Sequence, residues 1–143
     1  MLELLIVLVI IAMAATLVAP ALDSGLRQRN VRSAVRAVAG SMRALQADAI
    51  RTGVVQSLVV DQMQNVVRLR DRAVDMADSV QITEVRGGEL LPGGMIAVNF
   101  YPNGSNTGID VLLGERGAPA IDGFIVHLDP MIGLVSVVDP RRR

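Results

Sequence analysis

The chain has 143 residues, with 14 basic and 14 acidic side chains, a formal net charge of zero and no cysteine. That length accommodates one domain plus an additional segment, and the absence of cysteine excludes both a disulfide framework and thiol catalysis. With two phenylalanines, one tyrosine and no tryptophan, any core must be built from Val, Leu, Ile and Met.

The first element is an apolar run, Met1 to Ala19, interrupted only by Glu3. From Leu4 to Leu22 there are 19 uncharged residues, roughly 28 Å of helix at 1.5 Å per residue, close to a hydrocarbon core of about 30 Å. A cleaved secretory signal would open on basic residues, whereas the charge here is negative, although Ala12-Met13-Ala14 imitates a cleavage site. A buried helix of a soluble domain is a further alternative. Every face from Leu4 to Ala15 is apolar, however, which suits lipid better, so an anchor helix is the favoured reading. A carboxylate at mid-bilayer costs about 2.5–3.5 kcal/mol on insertion scales and is kept where a partner offsets that cost. Glu3 is therefore a candidate assembly residue.

Pro20 would kink the helix, because proline removes a backbone donor and clashes with the preceding turn. Beyond it Val31, Val35, Val38, Met42, Leu45 and Ala49 recur at spacings of 4, 3, 4, 3 and 4, one apolar seam of an amphipathic helix. Arg27, Arg29, Arg32, Arg36, Arg43 and Arg51 accompany this seam against a single acid, Asp48. The periodicity predicts one long helix from about Leu2 to Arg51.

After the helix, strands are predicted at Val54–Val60, Val66–Arg70, Val80–Val85, Met95–Phe100, Ile109–Leu113, Gly123–Leu128 and Leu134–Val138, from their β-branched runs and alternation. Gly87-Gly88, Pro92-Gly93-Gly94, Pro102-Asn103-Gly104 and Asp129-Pro130 separate them as turns. The first two strands and the last two are expected to form hairpins. The fold class is α+β: a long transmembrane-plus-amphipathic helix whose seam covers one face of a C-terminal antiparallel β domain. The divisions read from the sequence are residues 1–22 (transmembrane or filament-core helix), 23–52 (amphipathic continuation), 53–140 (β-rich domain) and 141–143 (basic tail).

Charge is segregated along the chain. Residues 52–140 carry five arginines against eleven acids, while the stem and the terminal Arg141-Arg142-Arg143 are basic. A basic stem near anionic headgroups accounts for this split, and basic stems meeting acidic domains of neighbouring subunits are the sharper account.

Leu2-Glu3-Leu4-Leu5-Ile6-Val7-Leu8-Val9-Ile10-Ile11-Ala12, followed by Pro20 and the amphipathic continuation, resembles the N-terminal signature of type IV pilins and type II secretion pseudopilins. The segment Ile96-Ala97-Val98-Asn99-Phe100-Tyr101-Pro102-Asn103-Gly104-Ser105-Asn106-Thr107-Gly108 resembles the strand and polar turn of the GspH/FimT branch, a less specific match. The resemblance implies a minor pseudopilin, a structural subunit of the type II secretion pseudopilus that assists export of folded proteins. It would be held in the inner membrane by a single pass, with its globular domain in the periplasm. Implied partners are other pseudopilins or pilins in a filament, the lipid bilayer, the inner-membrane assembly machinery, and a prepilin peptidase that trims a leader and is followed by methylation. Glu3 would pair with the N-terminal amine of a neighbour. The leader, its terminal glycine and the two residues usual before the Met1 position are missing, so the sequence is read as a fragment or as carrying a misplaced start, in preference to a genuine Met1 whose chain could not be processed.

No residue set indicates catalysis, a cofactor or a metal. His127, the sole histidine, is flanked by Val126 and Leu128 and reads as a satisfied or solvent-facing strand residue. Ser105 lacks a G-x-S-x-G elbow, and Asp71, Asp75 and Asp78 lack EF-hand spacing and read as a mobile acidic loop. The alternative function is a FimT-like type IV minor pilin binding DNA through Arg141, Arg142 and Arg143. It ranks lower, because three charges follow an acidic domain and stacking aromatics are nearly absent.

Overall fold

The computed structural model describes residues 1–139, and of residues 15–24 it describes the backbone course alone. One helix, α1, runs from Leu2 to Thr52, matching the predicted length. Gly53 ends it: at φ 69° it adopts the left-handed conformation that closes helices, and its N–H reaches the Ala49 carbonyl at 3.0 Å.

Nine strands follow among the described residues: β1 (Gln56–Asp61), β2 (Val66–Leu69), β3 (Ala73–Asp75), β4 (Val80–Gly87), β5 (Glu89–Leu90), β6 (Ile96–Phe100), β7 (Ile109–Glu115), β8 (Phe124–Leu128) and β9 (Val135–Val138). A short 3-10 turn, Ala120–Asp122, precedes β8. Both predicted hairpins form, β1 with β2 and β8 with β9.

The single sheet face expected from the sequence is instead two antiparallel sheets. The first has the order β3-β2-β1-β6-β5, the second β4-β7-β8-β9. The chain changes sheets three times: between β3 and β4, between β4 and β5, and between β6 and β7. Gly88 makes the tightest of these crossings. A Cβ there would stand 2.8 Å from the Ala97 carbonyl oxygen and 2.6 Å from the Ile96 side chain, and its φ of 70° disfavours any other residue. The acidic segment expected as a loop is partly ordered as β3, which pairs Val66 with Asp75 and Val67 with Val74. Met76, buried at its end, gives that edge an apolar foothold.

The helix seam packs against β1 and β6 of one sheet and against β4, β7, β8 and β9 of the other. Val31, Val35, Val38, Met42, Leu45 and Ala49 are all buried, as their spacing required. Opposite them lie Leu58, Val60, Val67, Val98 and Phe100 from the first sheet, and Val80, Ile82, Val111, Leu113, Val126 and Leu128 from the second. A bulge in β4 shifts the register between Ile82 and Glu84. It lets Ile82 and Val85 both face the core while Glu84 and Arg86 reach solvent, which strict alternation would forbid.

Asn65 holds the two sheets together. Its side chain accepts from the Ile82 N–H at 2.8 Å and donates to the Val80 carbonyl at 2.7 Å, from a backbone at φ 59° that Asn tolerates. Gln62 adds a bond to the Thr83 carbonyl at 2.8 Å. At the other end of the domain, buried Asn106 donates to the Asp129 carbonyl at 3.0 Å and accepts from the Gly108 N–H at 2.7 Å. The segment at 96–108 thus forms β6 and a loop that ties the first sheet to the β8–β9 hairpin of the second.

Candidate assembly surface

Among the described side chains, Arg27 and Asn30 tie the helix to the domain. Arg27 Nη1 lies 3.3 Å from Glu115 Oε1, and Asn30 Nδ2 donates to Ser79 Oγ at 3.0 Å. Residues N-terminal to this grip extend the helix by about 37 Å at 1.5 Å per residue. Along residues 1–14 every side chain is exposed, including Leu4 at 71% and Ile10 at 60%. Soluble monomers rarely display contiguous apolar patches beyond a few hundred Å², and larger ones mark protein or membrane contacts. This helix end is therefore a surface awaiting cover.

Glu3 occupies the first turn of α1. A carboxylate there is favoured by the positive end of the helix macrodipole, independently of any second protein. Glu3 is exposed and makes no ion pair among the described residues. Pro20 lies where α1 continues as helical backbone, its side chain outside the described residues. The expected span from Leu4 to Leu22 also runs into residues 15–24, whose side chains lie outside the description. Among the described residues, no helix is long and apolar enough to cross a membrane. Arg141, Arg142 and Arg143 lie outside the described residues.

A second exposed apolar surface is the β8–β9 loop, with Met131, Ile132 and Leu134 facing solvent. Asp129 shapes it: its Oδ1 accepts from the Met131 N–H at 2.7 Å and the Ile132 N–H at 3.1 Å. These two backbone donors hold the Asp129 carboxyl below its ordinary pKa, with the His127 charge assisting. The loop is a fixed apolar tip rather than a slack connection. Sequence reading marked Asp129 only as a turn residue; an Asp followed by Pro between two strands was the available signal.

The outer face of the second sheet carries a polar row straight across four strands: Arg86 opposite Asp110, Asp110 opposite His127, and His127 opposite Ser136. His127 Nδ1 lies 2.5 Å from Asp110 Oδ1, both half exposed, so the histidine is both paired and solvent-facing, as expected. Arg86 binds Glu84 through two bonds, of 2.7 and 2.9 Å, which lower the Glu84 pKa and raise that of Arg86. This exposed pair adds little stability. Ser105 is engaged in a local turn, donating to Asn103 Oδ1 at 2.7 Å.

No family model matches the chain. A curated protein, type II secretion system protein H of Xanthomonas campestris pv. campestris, is 39% identical over 64 residues. That match covers 45% of this chain and 38% of the relative's length. The fold is similar to that of the minor pseudopilin EpsH from the type 2 secretion system of Vibrio cholerae, with a TM-score of 0.62 at 12% identity, covering 78% of this chain and 98% of that one. It is also similar to the type IV minor pilin FimU of Pseudomonas aeruginosa, with a TM-score of 0.56 at 10% identity, covering 78% and 94% respectively. The fold is pilin-like: an N-terminal helix packed on antiparallel sheets.

Proposed function

We propose that this chain is a minor pseudopilin, a structural and non-catalytic subunit of a type II secretion pseudopilus. The observation that carries the reading is the uncovered apolar front of α1, continuous with a rear half packed on a two-sheet pilin-like domain. Such a helix needs lipid before assembly and neighbouring helices afterwards, and a filament core supplies the second. In this reading Leu4 to Ala19 stores the subunit in the inner membrane by a single pass, with the β domain in the periplasm. Glu3 is costly in lipid and better satisfied beside a neighbour's terminal amine. Pro20 permits local bending of the helix during extraction. The fixed tip at Met131, Ile132 and Leu134 is a surface for choosing neighbours.

A type IV minor pilin is the second reading, favoured by the likeness to FimU. It ranks below the secretion subunit because the sequence relative is a secretion protein. Removing the gene distinguishes them. A secretion subunit leaves a folded exoprotein trapped in the periplasm while pilus-dependent motility and DNA uptake persist; the opposite pattern supports the pilin.

A further inference from the structure

The second sheet ends on β9, whose outer edge lies beside α1. Arg43 Nη2 donates to the Val135 carbonyl at 2.9 Å, so Val135 turns its main-chain groups away from β8. In an antiparallel strand that orientation repeats at every second residue. The N–H and C=O of Val137 consequently face the same open side. There an open groove of about 660 Å³ separates strand from helix, walled by Arg32, Arg36, Phe124, Val137 and Val138. Val137 and Val138 are exposed. Arg32 and Arg36 are also exposed and make no ion pair among the described residues, whereas Asp139 at the rim is already engaged.

We infer that this groove takes an extended segment of a neighbouring filament subunit bearing two carboxylates at alternate positions. The inference rests on the pseudopilin reading and adds the place and chemistry of one contact. Arg32 and Arg36 stand one helical turn apart, about 6 Å along the axis, and residues i and i+2 of a strand are about 6.6–6.8 Å apart. Each guanidinium can take one carboxylate through a two-pronged hydrogen bond. The Val137 main-chain groups add the strand to the sheet, and the valines and Phe124 receive its apolar side chains. A lipid headgroup would meet the arginines but leave the open main-chain groups of Val137 unpaired. A second copy fits less well, since the edge strands β3 and β5 of the first sheet carry only Asp75 and Glu89, one acid each.

The test places the photocrosslinker p-benzoylphenylalanine at Val137 in the full chain, expressed with its sibling filament subunits. The same group at Met63, in the exposed turn between β1 and β2 of the other sheet, is the control. Irradiation should give one dominant adduct from Val137, mapped by mass spectrometry to a sibling strand with alternate acids. Arg32→Glu combined with Arg36→Glu should lower its yield at least tenfold, with an unchanged thermal midpoint, and Arg32→Lys with Arg36→Lys should retain part of it. Adducts with lipid or with a second copy, or a sibling adduct that survives charge reversal, overturn the inference. Entry into the filament is read separately, by co-purification of the unsubstituted chain with the filament fraction. Failure there sinks the pseudopilin reading and this contact with it; entry without the Val137 adduct sinks the contact alone.

Discussion

Val7 and Val38 are the same side chain on the same helix, yet the first is 50% exposed and the second wholly buried. Around Val38 the apolar seam occupies one face, and arginines and small residues the exposed one, so the helix has a side to give the sheets and a side to give water. Around Val7 every face is apolar, and one domain cannot cover all of them. The rear half is covered by its own chain, whereas the described side chains at the front are left exposed by it. In the pseudopilin reading proposed above, lipid or a neighbouring subunit supplies that cover.

That contrast can be broken most forcefully in the rear half. Met42→Ala, which leaves a cavity between α1 and the sheets, should cost about 2–5 kcal/mol, whereas Leu8→Ala should leave the domain's thermal midpoint within about a degree. Comparable losses from both would mean that the front half also packs on the domain. Next in size, Glu3→Ala should leave membrane insertion and domain stability unchanged while reducing incorporation into the filament by about tenfold, or about 1.4 kcal/mol. Unchanged incorporation would leave Glu3 with its helix-terminal role alone.

Asn65→Ala sharpens the rear side of the comparison. It orphans the Ile82 N–H and Val80 carbonyl that join the two sheets, and denaturant titration should register a loss of about 1–3 kcal/mol. The smallest effect belongs to Asp129. Its folded-state pKa is depressed, so its stabilisation is present above the unfolded carboxylate value of about 3.9 and is lost as pH falls through the lower folded value. Asp129→Asn should flatten that acid limb of the stability curve and loosen the Met131–Leu134 tip. Amide exchange at Met131 and Ile132 would report the loosening, and an unaltered acid limb would mean that the two backbone bonds contribute nothing.

Much of this protein was legible without coordinates, for local reasons. A helix declares its buried face through a repeat of three and four residues, and all six seam positions are buried as the spacing demanded. The helix's end near Arg51, the β1–β2 and β8–β9 hairpins and the α+β class likewise follow from periodicity and turn chemistry within short windows, while the Gly53 cap itself went unmarked. Glu3 stood out because a lone acid in an apolar run is conspicuous on composition alone.

What escaped was decided between distant residues. β3 and β5 are too short to show alternation and exist because β2 and β6 offer them open edges. Division into two sheets depends on Gly88 passing close to Ala97, on the β4 bulge, and on Asn65 reaching across to Val80 and Ile82. Arg32 and Arg36 were visible only as stem arginines; the groove they share with Val137 arises because β9 comes to rest beside α1. Periodicity fixes which face of an element is apolar, but it carries no information on which other element will meet that face, because that choice is made by packing across the whole chain.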